Sequence, residues 1–185
     1  MPPRVKYTKA QIVDVAYNLV RKNGEQILSA RTLASELHTS TAPIFTAFSS
    51  IEELKSEVWN RACALYQAYL EEGLAMPIPP KGCGLKYIQF AKDEPELFKM
   101  LFMCKTASQM PSHYFPGENE NEKLVRTAFE NTSGLSTEKA KKIYNHLAIY
   151  VHGLAVMYAM RQNVFTDGDI DKMLTEVFTA LMKGE

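Results

Sequence analysis

Residues 32–48 carry the sequence Thr-Leu-Ala-Ser-Glu-Leu-His-Thr-Ser-Thr-Ala-Pro-Ile-Phe-Thr-Ala-Phe. At the start of this stretch, apolar residues recur at the spacing of one face of a helix: Ala30, Leu33, Ala34 and Leu37. Ser29 stands just before them, where its hydroxyl can accept a free backbone N–H of the first turn. The pattern predicts a short helix followed by a tight turn.

A second short helix is predicted after the turn. Ser40 is the candidate cap of this helix, and Pro43 falls in its first turn, where the missing N–H would have no partner within the helix. Ile44 and Phe48, four residues apart, form the predicted buried side. Two helices joined in this way form a helix-turn-helix, whose second helix can enter the major groove of DNA.

Residues from about 8 to 54 resemble the N-terminal DNA-binding domain of the TetR-type (tetracycline-repressor-like) bacterial transcription regulators. The resemblance rests on an ordered set of residues: Ile12, Ala16, Leu19, Gly24, Leu33, Ala34, Leu37, Ser40, Ile44, Phe45, Phe48, Glu52, Glu53 and Leu54. The chain departs from the family at three positions. His38 stands where the turn usually has Gly, Phe45 replaces a Tyr whose hydroxyl often contacts a phosphate, and Ile51 replaces a Lys-like or Arg-like residue.

The resemblance implies an all-α protein of about nine helices in two domains. Residues 1–49 would form a three-helix helix-turn-helix domain, and residues 50–185 a helical domain for effector binding and dimerisation. The DNA surface would comprise His38, Thr39, Ser40, Thr41, Ala42, Phe45 and Thr46. Phosphate attraction would come from Lys6, Lys9, Arg31 and Lys55.

Charge is consistent with a local DNA-binding surface. The whole chain has 21 Lys and Arg against 21 Asp and Glu, so a protein that coats nucleic acid in general is not indicated. Residues 1–48 hold six basic and three acidic residues, a difference of three positive charges. The second helix itself has no Arg or Lys, which excludes a bidentate guanine contact from that helix.

Several other classes of function have little support. Cys63, Cys83 and Cys104 are widely spaced, and the four His residues have no metal-ligand spacing, so we expect structural thiols and neither metal nor cofactor. No paired nucleophile and base appears, so no enzyme is predicted. No apolar run is long enough to span a bilayer and the N-terminus has no signal-peptide core, which predicts a cytoplasmic protein without a membrane partner.

Breaks and periodicity divide the rest of the chain. A first helix is predicted from a capping box at Thr8 and Gln11 to Asn23-Gly24, and a long helix from Ser50 to about Ala75. Residues 76–84, rich in Pro and Gly, are predicted to be a loop. A short helix over 85–92, one from Pro95, a loop over about 108–121 and helices over about 122–131, 136–161 and 169–183 complete the prediction.

The last two helices are predicted to pair with those of a second copy. Each has a wide apolar stripe, and such a stripe commonly marks an interface, although it can also serve the chain's own core. The residues that we predict for a homodimer interface are Leu147, Val151, Leu154, Tyr158, Met173, Val177 and Leu181.

The C-terminal region is also rich in Met and aromatic residues. These side chains can form an ordinary core, and they also suit a pocket for an apolar or aromatic small molecule. Family resemblance favours the pocket, and its predicted residues are Trp59, Tyr66, Phe90, Phe98, Met103, His146 and Tyr150.

The sequence therefore predicts a ligand-responsive repressor that binds a palindromic DNA operator as a homodimer. Effector binding would move the long fourth helix, which both domains share. The alternative is a dimeric ligand sensor or protein-binding adaptor of the same fold that binds DNA weakly or not at all. Phe45, Ile51 and the uncharged second helix motivate this alternative.

Overall fold

The computed structural model describes residues 7–103, 120–162 and 165–183, and within these ranges the fold is all-α with nine α-helices, as predicted. A single 3-10 turn, Glu25–Ile27, follows the first helix. The helices are α1 (Lys9–Asn23), α2 (Ala30–Glu36), α3 (Ala42–Ala47), α4 (Ile51–Leu74), α5 (Pro79–Asp93), α6 (Pro95–Phe102), α7 (Glu120–Ser133), α8 (Thr137–Ala159) and α9 (Asp167–Lys183).

Short polar side chains cap three of the helix starts that the sequence predicts, those of α1, α2 and α4. The Thr8 hydroxyl accepts from the Gln11 backbone and the Gln11 side chain accepts from the Thr8 backbone, which confirms the capping box. The Ser29 hydroxyl accepts from the Thr32 backbone N–H at the start of α2, and the Ser50 hydroxyl accepts from the Glu53 backbone N–H at the start of α4. Gly24, with φ of 86°, ends α1 in a conformation that disfavours other residues.

The predicted cap of α3 is wrong by one residue. The chain enters α3 at Thr41, not Ser40, and no side chain caps the helix there. Pro43 does lie in the first turn, and its backbone lacks a donor that would need a partner. The free N–H groups at the start of α3 are therefore left to backbone or solvent partners.

The predicted loop over residues 76–84 is also wrong. Only a short turn separates α4 from α5, because Pro79 and Pro80 occupy the first turn of α5, where proline is well tolerated. Gly82 then sits so close to α4 that a Cβ on it would lie 2.2 Å from the Gly73 carbonyl oxygen. The Gly residues of this stretch serve close helix packing and not chain flexibility.

The remaining helix boundaries agree with the prediction to within a few residues. Helix α5 ends at Asp93, and Pro95 begins α6. The predicted loop over 108–121 lies outside the described residues except for its last two, which belong to α7. None of the helices in the described ranges has the length and apolar character needed to cross a membrane.

The core continues from the first helices into the later ones. One connected cluster of buried side chains joins Ile12, Leu33 and Ile44 to Phe90 and Phe98 through the first half of α4. The predicted domain boundary at residue 50 therefore crosses a continuous core, and the division into two domains stays a prediction. A second, smaller cluster joins α7, α8 and the end of α9 around Phe129 and Ile143.

Candidate functional site

The outer surface of α3 and the turn before it is open to solvent. His38, Ser40, Thr41, Ala42, Phe45 and Thr46 are all exposed, whereas Thr39 is half-buried. Six of the seven residues predicted for the DNA surface thus lie where a duplex could reach them. Of these residues, Ala42, Phe45 and Thr46 lie on one face of α3, because they are three and four positions apart on the helix.

Buried side chains hold this surface outward. Ile44 and Phe48 are inserted into the core on the other side of α3. The Tyr7 hydroxyl donates a hydrogen bond of 2.5 Å to the Leu37 carbonyl oxygen, which ties the start of the chain to the end of α2. The two short helices consequently stand on a rigid base, which a recognition helix requires.

The side chains on α3 are apolar or nearly so. Phe45 is 51% exposed and is the large apolar side chain on the outer face of α3. The Thr46 hydroxyl donates to the Ala42 carbonyl oxygen at 2.9 Å, so its proton is already used within the helix. The exposed helix surface offers contact area and few hydrogen-bond donors.

The turn between α2 and α3 is strained at His38. Its φ is 49°, in the left-handed region where a Cβ is unfavourable. Its backbone N–H nevertheless donates to the Ser35 carbonyl oxygen at 3.1 Å, and that of Thr39 to the Ala34 carbonyl oxygen at 2.9 Å. These bonds close the turn and present the His38 side chain to solvent.

The predicted phosphate contacts differ in their surroundings. Arg31 is exposed and Lys55 is half-buried, whereas Lys6 lies outside the described residues. Lys9 is not free to approach a phosphate without losing other contacts. Its ammonium lies 2.7 Å from a Glu53 carboxylate oxygen and 3.9 Å from one of Glu57, and 4.7 Å from the centre of the Phe48 ring.

Lys9 thus joins α1 to α4. Hydrogen bonding to Lys9, followed by bonds from the Ser49 backbone and hydroxyl, lowers the pKa of Glu53 to about 2. The same hydrogen bond raises the pKa of Lys9. The charge of Lys9 is therefore offset within the chain, whereas Arg31 is exposed on α2.

A cluster of aromatic rings lies between α4, α5, α6 and α8. Tyr66 on α4 meets Phe90 on α5 and Phe102 on α6 at centroid distances of 5.4 and 5.1 Å. Tyr87 meets Phe98 and Phe102 at 5.3 and 5.0 Å. Three residues predicted for the ligand site, Tyr66, Phe90 and Phe98, are thus brought together. Tyr87 and Phe102, which the predicted set omits, complete the cluster.

One polar pair lies inside this ring cluster. The Tyr87 hydroxyl is 2.9 Å from His152 Nδ1, and the His152 ring stacks on Phe98 at 6.0 Å. Burial raises the pKa of Tyr87 and lowers the pKa of His152, so both groups are held neutral near pH 7. The pair is thus a neutral hydrogen-bonded pair in contact with aromatic rings.

The structure does not bring His146, predicted for this site, to the ring cluster. His146 is exposed, whereas His152 contacts Tyr87 and Phe98 in the cluster. His152 lies on the buried face of α8, because it is three and seven positions before the buried residues Ala155 and Ala159. That periodicity was available in the sequence and could have identified His152.

The other predicted ligand-site residues have different positions. Trp59 and Tyr150 are half-buried and pack against the main core. Met103 follows the end of α6 and is more than one-third exposed. The structure therefore assigns the ring cluster to four helices, with α6 supplying two of its rings.

The predicted dimer residues serve mainly the chain's own core. Leu154 and Tyr158 are buried, so neither has surface left for a second chain. Leu147 and Leu181 pack on the smaller core cluster, and Val151 and Met173 on the main one. Val177 is half-buried.

A different face of α8 is apolar and open. Ile149 is 72% exposed, Met160 is 53% exposed, and a Cβ on Gly153 would meet nothing within 4 Å. These three residues share one face, since they are four and seven positions apart. We refer to these residues, Ile149 and Gly153 of α8 and Met160 at its C-terminal end, as the exposed face of α8.

Two further ion pairs join α1 to later parts of the fold. Arg21 donates from both Nε and Nη2 to the buried carboxylate of Glu94, at the corner between α5 and α6. Arg61 on α4 pairs with Asp14 and lies over the Tyr17 ring at 4.5 Å. The helix-turn-helix is therefore coupled to the same helix, α6, that supplies Phe98 and Phe102.

The described part of the chain contains acidic residues, histidines and two cysteines, Cys63 and Cys83. No group of three or more His, Cys, Asp or Glu residues there could hold a metal ion. Burial raises the pKa of the Cys83 thiol to about 11, which makes it a poor nucleophile.

Comparison of the chain with protein-family models and with curated protein sequences finds no match.

Proposed function

We propose that this protein is a DNA-binding transcription regulator, which acts as a homodimer on a two-fold symmetric operator and responds to a small apolar or aromatic molecule. The observation that carries the proposal is the solvent-exposed face of α3, held outward by Ile44 and Phe48 on a capped helix-turn-helix. A rigid helix presented in this way has the shape that fits a major groove. The resemblance of residues 8–54 to TetR-type regulators supports the same proposal.

The test is fluorescence anisotropy with a labelled duplex from the promoter of the protein's own gene, at about 50 and about 200 mM salt. The critical variant is Ala42→Glu, which places a negative charge on the exposed face of α3. Glutamate is favourable in the first turn of a helix, so this variant is expected to fold. We expect its affinity to fall by about tenfold or more, as for a disrupted base contact.

Ala68→Glu is the matched control. Ala68 is also an exposed alanine on a helix, but it lies about 25 Å along α4 from the start of that helix. We expect it to leave DNA affinity unchanged. Equal losses in both variants would indicate a general charge effect and would count against a DNA contact at α3.

A ligand sensor of the same fold that does not bind DNA is the second candidate. It is favoured by Lys9, whose charge is offset by Glu53 and Glu57, and by the absence of charged side chains on α3. This candidate predicts no saturable anisotropy change at either salt concentration, with any duplex. Ligand-induced stabilisation without DNA binding would then support it.

The proposed effector site is the aromatic ring cluster. Tyr66 belongs to α4, and Phe98 and Phe102 belong to α6, so a molecule that separates these rings would displace both helices. Helix α1 packs on α4 and α6 and would move with them. Such a molecule acts allosterically if it binds the DNA-free form more tightly by about 1–3 kcal/mol.

The effector proposal is tested by screening small aromatic compounds for a rise in melting temperature and for release of bound DNA. We expect Phe102→Ala to alter the response to a compound that gives both effects, and Phe45→Ala to leave compound binding unchanged. A screen in which no compound gives either effect would leave the cluster as a purely structural core.

The proposed homodimer uses the exposed face of α8. We expect Ile149→Lys to weaken self-association in analytical ultracentrifugation, because it places a charge in an apolar contact. Ile78→Lys is the control, since Ile78 is similarly exposed but lies in the turn before α5. A monomeric wild-type protein at all concentrations would contradict the proposal.

A further inference from the structure

We propose that α3 selects its operator chiefly through the C5-methyl groups of thymine, so that the decisive positions of each half-site are A·T pairs contacted on the thymine side. This inference rests on the proposed DNA-binding function and names the base chemistry that the surface fits. The side chains that would contact the thymine methyl groups are those of Ala42, Phe45 and Thr46.

The chemistry of the helix supports thymine over the other bases. In the major groove, guanine is usually contacted by Arg or Lys, adenine by Asn or Gln, and cytosine by Asp or Glu. Helix α3 has the sequence Ala-Pro-Ile-Phe-Thr-Ala and contains none of these residue types. Thymine is the base that presents a methyl group there, and Ala, Thr and Phe are the side chains that contact it.

The geometry strengthens this conclusion. Ala42, Phe45 and Thr46 share one exposed face, because they are three and four positions apart. The Thr46 hydroxyl donates to the Ala42 carbonyl oxygen at 2.9 Å, so it cannot at the same time donate to a base. The proton-donating capacity of Thr46 is thus satisfied within the helix, and its methyl group remains for an apolar contact.

Phe45 extends the apolar surface furthest. It has about half of its surface exposed, although it lies between the buried Ile44 and the exposed Thr46. Exposure of a large aromatic side chain to water is unfavourable, and its burial in a complex contributes favourably to the free energy of binding. A row of thymine methyl groups in the major groove would cover it without needing a hydrogen bond.

The test begins with a duplex selected by the full-length protein from a random DNA pool. Each thymine of the consensus is then replaced by deoxyuridine, which removes only the methyl group. We expect a loss of about fourfold in affinity for each contacted methyl, and no loss at flanking thymines. At a contacted position, a change of T·A to 5-methylcytosine·G should retain more affinity than a change to unmethylated C·G.

Two variants at one residue separate a methyl contact from a hydroxyl contact. Thr46→Val keeps a methyl group and removes the hydroxyl, and we expect affinity within about twofold of wild type. Thr46→Ser keeps the hydroxyl and removes the methyl, and we expect a loss of about fourfold together with loss of sensitivity to deoxyuridine at one position. Melting temperatures of both variants establish that they are folded.

The outcomes distinguish this inference from the function on which it rests. Selected DNA whose affinity is unchanged by every deoxyuridine replacement would overturn the inference and leave DNA binding intact. A loss with Thr46→Val but not with Thr46→Ser would also overturn it. Failure to select any DNA would overturn both the inference and the proposed function.

Discussion

Arg21 and Glu94 form a two-pronged ion pair that joins α1 to the corner between α5 and α6. The Arg21 Nε lies 2.6 Å from Glu94 Oε2, and its Nη2 bonds the other carboxylate oxygen. Arg21 is half-exposed, whereas the Glu94 side chain is only 5% exposed. The buried Glu94 carboxylate thus accepts two hydrogen bonds from Arg21, a residue far away in sequence on a helix that packs against α6.

Loss of Arg21 should destabilise the protein more than loss of both charges. We expect Arg21→Met to lower the free energy of unfolding by about 1–3 kcal/mol, because the Glu94 carboxylate stays buried without its partner. The double variant Arg21→Met with Glu94→Gln should recover part of this loss. Urea unfolding of the four proteins in the cycle gives the coupling energy.

Lys172→Met provides the control for this cycle. Lys172 and Glu176 are both well exposed and lie 3.8 Å apart, so their pair should contribute less than about 1 kcal/mol. Equal effects of Arg21→Met and Lys172→Met would contradict a special role for the Arg21–Glu94 pair.

The close contact between α4 and α5 predicts opposite effects for two glycine variants. Gly82→Ala would place a Cβ 2.2 Å from the Gly73 carbonyl oxygen, and we expect a loss of about 1–3 kcal/mol from overpacking. Gly153→Ala would meet no neighbouring element of its own chain within 4 Å, so in the Ile149→Lys background, where the proposed α8 interface is disrupted, we expect a gain of about 0.5–1 kcal/mol from better helix propensity. Thermal unfolding at one protein concentration compares the two variants.

The strained turn at His38 predicts a stabilising substitution. His38→Gly removes the Cβ from a residue with φ of 49°, and we expect a gain of about 0.5–1 kcal/mol. His38→Ala keeps the Cβ, so it should give no such gain. If alanine and glycine stabilise equally in urea unfolding, the side chain of His38 and not its backbone conformation is the source of the effect.

Acid should weaken the contact between α1 and α4. Hydrogen bonds from Lys9 and Ser49 lower the pKa of Glu53 from 4.5 to about 2 in the folded state. A carboxyl with a depressed folded pKa contributes its full stabilisation above the unfolded pKa and loses it as pH falls towards the folded one. The loss should therefore fall between about pH 4.5 and pH 2.

Glu53→Gln isolates this contribution. We expect the variant to have a shallower decline of the urea midpoint across that pH window than the wild type, with Glu52→Gln as the neighbouring control. Identical declines for wild type and Glu53→Gln would show that the Lys9–Glu53 contact does not contribute to acid sensitivity.

Local signals allowed the sequence to predict most of the fold. The caps at Thr8, Ser29 and Ser50 and the stop at Gly24 act through backbone groups only a few residues away, so they are visible in the sequence. The Pro- and Gly-rich residues 76–84 suggested a loop for the same local reason. Residues 79–84 are instead helical, and Gly82 packs closely on Gly73 of another helix, a contact that no local pattern contains.

The candidate sites also divide into features set by nearby residues and features set by contacts between distant helices. The exposed face of α3 follows from its spacing relative to Ile44 and Phe48. The ring cluster depends on how four helices meet, so the sequence identified Tyr66, Phe90 and Phe98 but not their neighbours Tyr87 and Phe102. His152, and not the predicted His146, lies at the ring cluster, because Ala155 and Ala159 are on the inward face of α8.

The most direct test of the central claim is the selection of DNA by the full-length protein from a random pool, followed by sequencing. The proposed regulator predicts a two-fold symmetric consensus whose half-sites are centred about one helical turn apart, and predicts that Ala42→Glu, but not Ala68→Glu, abolishes the enrichment. A pool that shows no enrichment, or a consensus retained by Ala42→Glu, would contradict the claim that the exposed face of α3 binds DNA.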